Sequence, residues 1–173
     1  MTTDFANLVD LAAERVGGAV LYANDDFFAP KENLLKAGAP VFVEGKYTER
    51  GKWMDGWESR RRRTPGFDWC LIRLGLPGSV RGVVVDASFF RGNYPESCSL
   101  EAACAPKYID AGDIAALDSL TWARVLARTR LQAHTRHFYE RELQVVDGAT
   151  HARFQIFPDG GVSRLRLYGT LAD

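Results

Sequence analysis

The amino-acid sequence predicts an all-β protein, an antiparallel β-sandwich or jelly roll with a short N-terminal helix. Runs of β-branched, aromatic and aliphatic residues recur along the chain, as in Val83-Val84-Val85, and such residues favour a pleated backbone. Glycine, proline, asparagine and aspartate separate these runs at short intervals. Roughly eight short strands with turns between them are typical of a sandwich.

The composition is that of a globular domain. The 173 residues carry a formal net charge of zero, with 46% hydrophobic and 25% charged residues, which argues against disorder and a basic nucleic-acid-binding surface. The apolar runs are shorter than the roughly 18–20 residues of a membrane helix, and the sequence does not open with a signal-peptide pattern. We therefore expect one cytoplasmic domain, 1–173, with no nucleic-acid or membrane partner and with Cys70, Cys98 and Cys104 as thiols.

The first predicted elements are a helix, a strand and a polar loop. In the N-terminal segment 1–18, residues 7–16 place apolar side chains close to helical spacing, and Gly17-Gly18 ends the helix. A strand is predicted over 19–23. In the following loop, Asp25 and Asp26 could form Asx-turns or caps, or could supply ligand oxygens or a catalytic carboxylate.

An arginine run follows a turn. Asp55-Gly56 is a turn signal between Trp53 and Trp57, and four consecutive arginines occupy positions 60–63. In a chain without net charge, such a run indicates a solvated edge or an anion site rather than nucleic-acid binding. If the segment is extended, alternate arginines face opposite sides, so at most half of them can serve one pocket.

The middle of the chain predicts a hairpin and a ligand-binding loop. Residues 67–76 and 80–90 are predicted strands, and Pro77-Gly78-Ser79 between them has turn chemistry. The loop 91–96 follows and presents a guanidinium, an amide, a phenol and a carboxylate before a strand over 97–103. A polar loop at the end of rigid strands is a suitable place for a ligand.

The C-terminal part predicts a surface insertion over 105–119 and then four strands. The insertion has the weakest pattern in the chain, and Pro158-Asp159-Gly160-Gly161 forms a tight turn before the last strand. The strands are predicted over 121–126, 137–146, 151–157 and 162–168. The sequence contains no glycine-rich phosphate loop, dinucleotide-binding fingerprint or nucleophile elbow.

Several segments resemble one repeat of the allantoicase family, in the same order. They are NDDFFAPKENLL from Asn24, DGWESRRRR from Asp55, DWCLIRLG from Asp68, VVDASFFRGNYPESCSLEA from Val84, HFY from His137 and FPDGGVSRLRLYG from Phe157. The resemblance implies a jelly roll similar to galactose-binding domains, and hydrolysis of allantoate to ureidoglycolate and urea in purine degradation. Family members usually join two repeats in one chain, so the resemblance also implies a homo-oligomer in which another copy supplies the second repeat.

The matched segments contain the residue types that this reaction needs. A carboxylate flanked by two ureido groups calls for arginine forks and amide partners. Release of urea calls for an acid, a base or a metal-bound water. The substrate-binding candidates are Arg60, Arg61, Arg91, Asn93 and Tyr94, and the catalytic candidates are His137, Asp26, Glu58 and Glu96.

These candidates also have structural interpretations. His137 could be a hydrogen-bonded residue of a strand, and Trp53 and Trp57 could pack in the core or at its rim. Glu58 could pair with the neighbouring arginines at the surface.

The cofactor and the alternative function stay open. A divalent metal is one option, because jelly rolls of this kind sometimes hold calcium and Asp25, Asp26 or Asp55 could serve as ligands. The alternative function is a non-catalytic module that binds a carbohydrate or a ureide. The charged loops disfavour a sugar site, since sugar sites usually present an aromatic platform.

Overall fold

The structure, a computed structural model that describes residues 7–173, is an antiparallel β-sandwich, as the sequence predicts. The strands are β1 (Val9–Asp10), β2 (Ala19–Ala23), β3 (Tyr47–Thr48), β4 (Gly51–Lys52), β5 (Trp57–Glu58), β6 (Asp68–Asp86), β7 (Ser97–Ala103), β8 (Ala123–Arg130), β9 (Arg136–Tyr139), β10 (Ala149–Phe157), β11 (Gly161–Val162) and β12 (Arg164–Leu171). Among residues 7–173, the helical segments are two 3₁₀ helices, Glu14–Val16 and Lys31–Leu35, and one α-helix, α1 (Ile114–Asp118). Within the described chain, no helix has the length and apolar character needed to span a bilayer.

The long strand β6 connects the two layers of the sandwich. Its first half pairs with β2 and β10, and its second half pairs with β9 and β12. β10 continues the first layer to β7 and β8, whereas β12 continues the second layer to β1. Side chains from both halves of β6, including Cys70, Ile72, Val83 and Val85, are buried in one core. Cys70 is therefore a core residue.

The predicted hairpin at Pro77-Gly78-Ser79 is wrong, because β6 runs through these residues without reversing. The partners of β10 on β6 jump from Arg73 to Gly78, so the strand crosses between the layers where this ladder is interrupted. Proline lacks an amide hydrogen, and at this position its carbonyl is used instead, as the acceptor for the Ala172 amide at 2.9 Å. Turn-type residues here allow a long strand to bend between layers.

The predicted N-terminal helix over 7–16 is also wrong, and residues 1–6 of that segment lie outside the described residues. Val9 and Asp10 pair with Gly169 and Tyr168 as a strand, and only Glu14–Val16 is helical, as a 3₁₀ turn. The Asp10 carboxylate accepts hydrogen bonds from the amides of Ala12 (3.2 Å) and Leu167 (3.0 Å), which ties the segment to β12. The apolar spacing reflects burial against the sheet edge rather than a helical face.

The remaining strand predictions are confirmed at 19–23 and 97–103. The strand predicted over 151–157 begins two residues earlier, at Ala149, and the other predicted strands are shifted. The strand predicted over 137–146 ends at Tyr139, because the chain turns back there and the Gln144 amide donates to the Val125 carbonyl at 2.8 Å. Ser163 interrupts the last predicted strand, where its amide donates to the Asp86 carbonyl at 2.7 Å. The segment 105–119 is mostly exposed and contains α1, which buries Leu117.

Candidate functional site

Glu58 is the buried carboxylate of the candidate site. It lies on β5, a two-residue strand that pairs with β11, and its backbone also bonds to Ala29 in both directions. The neighbouring Trp57 is fully buried, and its indole nitrogen donates to the Asp25 carbonyl at 2.8 Å. Because successive side chains of a strand alternate sides, burial of Trp57 in the core places Glu58 on the other side of β5. Glu58 is nevertheless only 9% exposed.

Asn93 brings the predicted ligand loop to Glu58. Its side-chain amide donates to Glu58 Oε2 at 2.8 Å, and its backbone carbonyl accepts from the Gly161 amide at 2.8 Å. The turn before β11 allows this close approach. At Gly160, φ is +130°, and an added Cβ would lie 2.7 Å from the Asn93 carbonyl oxygen. The glycines of this turn therefore bring the 91–96 loop against β5.

Two adjoining cavities, of about 580 and 140 Å³, share Lys52, Met54 and Asn93 as walls. We call the two together the Glu58 groove. One side is the loop that carries Arg91 and Asn93, and the other side is the exposed β3–β4 hairpin. The polar side chains that line it are Glu44, Arg50, Lys52, Glu58, Arg91 and Asn93, and the apolar ones include Phe28, Phe42, Met54 and Phe89.

The electrostatics of the groove combine positive charge with a carboxyl group whose pKa is raised. Burial raises the pKa of Glu58, and the hydrogen bond from Asn93 opposes that effect only in part. Arg50 is held by the Phe27 carbonyl at 2.9 Å, whereas Arg91 is exposed and has no acidic partner among residues 7–173. The groove thus combines an unpaired guanidinium with a carboxyl group that holds its proton more strongly than usual.

Of the candidates chosen from the sequence, Glu58, Arg91 and Asn93 lie together in the Glu58 groove. Arg60 and Arg61 line a separate cavity of about 360 Å³ with no residue in common with the groove. Arg60 donates to the Asp25 carboxylate at 2.8 Å. The site expected from the sequence is therefore divided between two cavities.

The other candidates make structural contacts. Asp26 accepts from the Lys31 amide at 3.2 Å, at the start of a 3₁₀ helix, and Tyr94 packs against the core. Glu96 lies at the surface, where Ser97 and the arginines of β8 lower its pKa. His137 bonds through Nδ1 to the Val85 carbonyl and accepts at Nε2 from the Gln132 amide, both at 2.9 Å. With both ring nitrogens bound to the backbone, the geometry favours the structural interpretation of His137.

The hairpin side of the groove is formed by Arg50, Lys52 and Met54. These residues are not among the site candidates that the sequence predicts. The sequence feature that could have indicated this hairpin is Gly51. Its φ of +135° closes the turn between β3 and β4. Trp53 is half-buried beside this hairpin, with the Lys46 ammonium 4.2 Å from its ring centroid.

The metal-ligand candidates are engaged in protein contacts. Asp25 closes an Asx-turn with the Phe27 amide at 2.8 Å, and Asp55 is paired with Arg164 at 2.8 Å. Across the part of the chain that the structure describes, no three histidine, cysteine, aspartate or glutamate side chains gather in a way that could hold a metal ion.

Sequence comparison relates the chain to a family of known proteins. The model of the allantoicase repeat matches residues 9–172. The chain is 45% identical over 161 residues to a probable allantoicase 1 of Burkholderia mallei, covering 93% of this chain and 45% of that protein. It is 41% identical over 169 residues to a probable allantoicase of Acinetobacter baylyi, covering 98% of this chain and 48% of that protein. The chain spans about half the length of the curated relatives it matches.

Solved structures agree with the sequence comparison. A structure of allantoicase superposes with a TM-score of 0.79 at 30% identity, over 94% of this chain and 48% of the other. The allantoicase of Saccharomyces cerevisiae gives a TM-score of 0.77 at 29% identity, with the same coverage of 94% and 48%. A carbohydrate-binding module from a Clostridium perfringens glycoside hydrolase shares the fold, with a TM-score of 0.62 at 12% identity over 98% of this chain and 100% of the module.

Proposed function

Because this chain belongs to the allantoicase family, we propose that it hydrolyses allantoate to ureidoglycolate and urea, with the Glu58 groove as its active site. In this reaction the oxygen of water forms a bond to the central carbon of allantoate. The bond from that carbon to one ureido nitrogen breaks, and the departing ureido group takes a proton on that nitrogen to become urea. The site must therefore hold a carboxylate, orient two ureido groups and move one proton.

Arg91 and Asn93 supply recognition in this proposal. The unpaired guanidinium of Arg91 binds the substrate carboxylate through two parallel hydrogen bonds, which is the geometry that an arginine fork favours. Lys52, on the opposite side of the groove, adds a second positive charge. The side-chain amide of Asn93 donates to Glu58, so its oxygen is left to accept an N–H group of a ureido substituent.

Glu58 is the proton donor and acceptor in this proposal. Asn93 donates to Oε2, so the proton of the neutral carboxyl group resides on Oε1. The raised pKa increases the protonated fraction, and the acid gives its proton to the departing urea nitrogen. The resulting carboxylate then takes a proton from the attacking water, which returns Glu58 to its starting state. The observation that carries the proposal is this buried, amide-bound carboxyl group in a groove that is also lined by Arg91, which has no acidic partner among residues 7–173.

Urea release from allantoate by the purified protein tests the proposal. We expect Glu58→Gln to reduce the rate by at least about 100-fold, the usual contribution of a positioned acid or base. Arg91→Ala should abolish activity while leaving the melting temperature nearly unchanged, and Arg141→Ala, which removes another exposed arginine, serves as the matched control. Loss of fold together with activity would give Arg91 a structural role. A folded wild-type protein that binds allantoate but releases no urea would identify a ureide-binding module instead.

We also propose that the protein forms a homo-oligomer in the cytoplasm. The curated relatives are about twice as long as the matched region, so a second copy could take the place of the additional chain. Beside the groove, Val41, Val43 and Tyr47 are 53%, 44% and 67% exposed, which suits a covered surface. Cys70, Cys98 and Cys104 are free thiols, as a reducing compartment would keep them. A mass measurement in solution, run beside the urea assay, tests the assembly.

A further inference from the structure

The four consecutive arginines form a second cavity that the proposed reaction does not use. This arginine cavity, of about 360 Å³, is lined by Arg60, Arg61, Arg62, Arg63, Asn24, Asp25, Thr64 and Asp68. All four arginines line one cavity, unlike in the extended segment considered from the sequence, because residues 60–63 do not form a strand. It shares no lining residue with the Glu58 groove. Its volume lies at the lower end of the range of small-molecule sites, which is about 300–1,000 Å³.

Two of the arginines are neutralised by buried or half-buried aspartates. Arg60 Nε donates to Asp25 Oδ2 at 2.8 Å, and Arg62 Nη1 donates to Asp68 Oδ1 at 2.6 Å. The Asp68 side chain is 1% exposed, so its negative charge is committed to Arg62 and to the side-chain amide of Asn24. These contacts hold alternate arginines of the run in fixed ion pairs.

The other two arginines are left without compensation. Within residues 7–173, neither Arg61 nor Arg63 has an acidic partner or a hydrogen-bond acceptor for its guanidinium. The lining of the cavity therefore carries two more positive charges than negative ones. Like charges in one small cavity repel each other, and a bound anion of matching charge would relieve that repulsion.

The loop that presents these two arginines is fixed by Arg62. The Arg62 amide donates to Asp159 Oδ2 at 2.8 Å, and its guanidinium also reaches the carbonyls of Pro65 (3.3 Å) and Phe67 (3.4 Å). Gly66, at φ +131°, allows this packing, since an added Cβ would lie 2.8 Å from Arg62 Nη2. Because Arg62 is anchored on both its backbone and its side chain, the backbone of the loop that carries the exposed Arg61 and Arg63 is held in place before a ligand arrives.

We propose that the arginine cavity binds a doubly charged oxyanion of the phosphate class. Guanidinium groups pair bidentately with phosphate oxygens, and a phosphate group carries about −1.5 to −2 charge at pH 7, which matches the excess positive charge of the lining. The Thr64 hydroxyl, next to Arg63 in the lining, is available as a further donor. The site does not depend on the proposed reaction.

Calorimetric titration of inorganic phosphate into the full chain, at constant ionic strength and without allantoate, tests this site. We expect saturable binding with one phosphate per chain, weakened at least tenfold in the Arg61→Gln/Arg63→Gln double variant. The Arg81→Gln/Arg141→Gln double variant removes the same charge from exposed positions elsewhere and should bind as the wild type does. Equal melting temperatures without phosphate would show that both double variants are folded.

Several outcomes would overturn the assignment. These are absence of saturable binding to the wild type, equal binding by the Arg61→Gln/Arg63→Gln variant, or binding of malonate but not of phosphate. A parallel titration with glycerol phosphate distinguishes free phosphate from a phosphate monoester as the natural ligand. Tighter binding of glycerol phosphate than of inorganic phosphate would indicate the phosphate group of a larger metabolite. Glu58→Gln should bind phosphate normally, so failure of the catalytic proposal and failure of this one are separable.

Discussion

The ion pair between Arg164 and Asp55 anchors the hairpin side of the Glu58 groove, and its removal should destabilise the protein strongly. The side chains are 3% and 6% exposed and their N–O distance is 2.8 Å. Arg164 also donates to the carbonyls of Gly38 (2.9 Å), Asp55 (3.2 Å) and Ser163 (2.8 Å). These contacts hold both ends of the segment 38–55, which carries β3 and β4, against β12.

Arg164→Met would leave the Asp55 carboxylate buried without its main partner. Removing one member of a buried pair costs about 3–5 kcal/mol of unfolding free energy. Lys36 cannot replace the arginine, because its ammonium lies 3.8 Å from Asp55 and its side chain is 47% exposed. For a domain of this size, about 2–4 °C of melting temperature is lost per kcal/mol, so we expect a decrease of about 6–20 °C.

A double-mutant cycle with Asp55→Asn separates the pair from the individual side chains. Thermal and urea denaturation of wild type, both single variants and the double variant would give the coupling energy. We expect the double variant to be destabilised by clearly less than the sum of the single variants, because neither charge is then left unpaired. Additive effects, or a cost below about 1 kcal/mol for Arg164→Met, would refute the reasoning.

The pH dependence provides an independent check of the same pair. Burial alone would raise the pKa of Asp55, but Arg164, the Val41 amide and Lys36 outweigh that effect and hold it below its ordinary value of 3.8. A lowered pKa contributes stability above pH 3.8 that is lost as the pH falls through the folded-state value. The difference in stability between wild type and Arg164→Met should therefore shrink in strongly acidic solution.

Three further substitutions test other parts of the structure. Burial raises the pKa of Glu58, so the wild type should lose stability as the pH rises from 4.5 through the raised value. Melting curves should therefore show Glu58→Gln to be more stable than the wild type at pH values near about 8 but not near about 4. Lower stability of the variant than of the wild type at both pH values would contradict this. Gly161→Ala would place a Cβ 1.9 Å from the Phe90 ring and should cost at least about 1–3 kcal/mol in urea denaturation, whereas Gly92→Ala has open space and should change stability by less than about 0.5 kcal/mol. His137→Ala leaves two backbone groups without their partner and should cost about 1–3 kcal/mol, and a loss of urea release beyond the unfolded fraction would restore His137 as a catalytic candidate.

Strands with strong local patterns were predictable from the sequence, and those set by distant pairing were not. Residues 19–23 and 97–103 have β-rich runs bounded by turn residues, and both are strands with those bounds. At Pro77-Gly78-Ser79 the local chemistry of a turn is present, but pairing with β12 keeps the chain extended. The buried Asp55 shows the same effect, because its bond to Arg164 depends on a residue that is distant in sequence.

The composition of the candidate site was predictable, but its division into two cavities was not. Arg91 and Asn93 follow a strand in a loop with glycine and proline, which local chemistry identifies as a place for a ligand. The approach of Glu58 to Asn93 depends on the pairing of β5 with β11 and on the conformation of Gly160. Neither is visible in a local pattern.

The pairing of β6 makes folding of this domain a late and non-local event. Two of its partners, β2 and β12, come from near the two ends of the described chain, residues 19–23 and 164–171. During synthesis, the second layer cannot close until β12 has left the ribosome, and domains dominated by such distant contacts fold on a scale of about milliseconds to seconds. Until then the second half of β6 presents Val83 and Val85 beside an unpaired strand edge, so the nascent chain passes through a stage prone to aggregation.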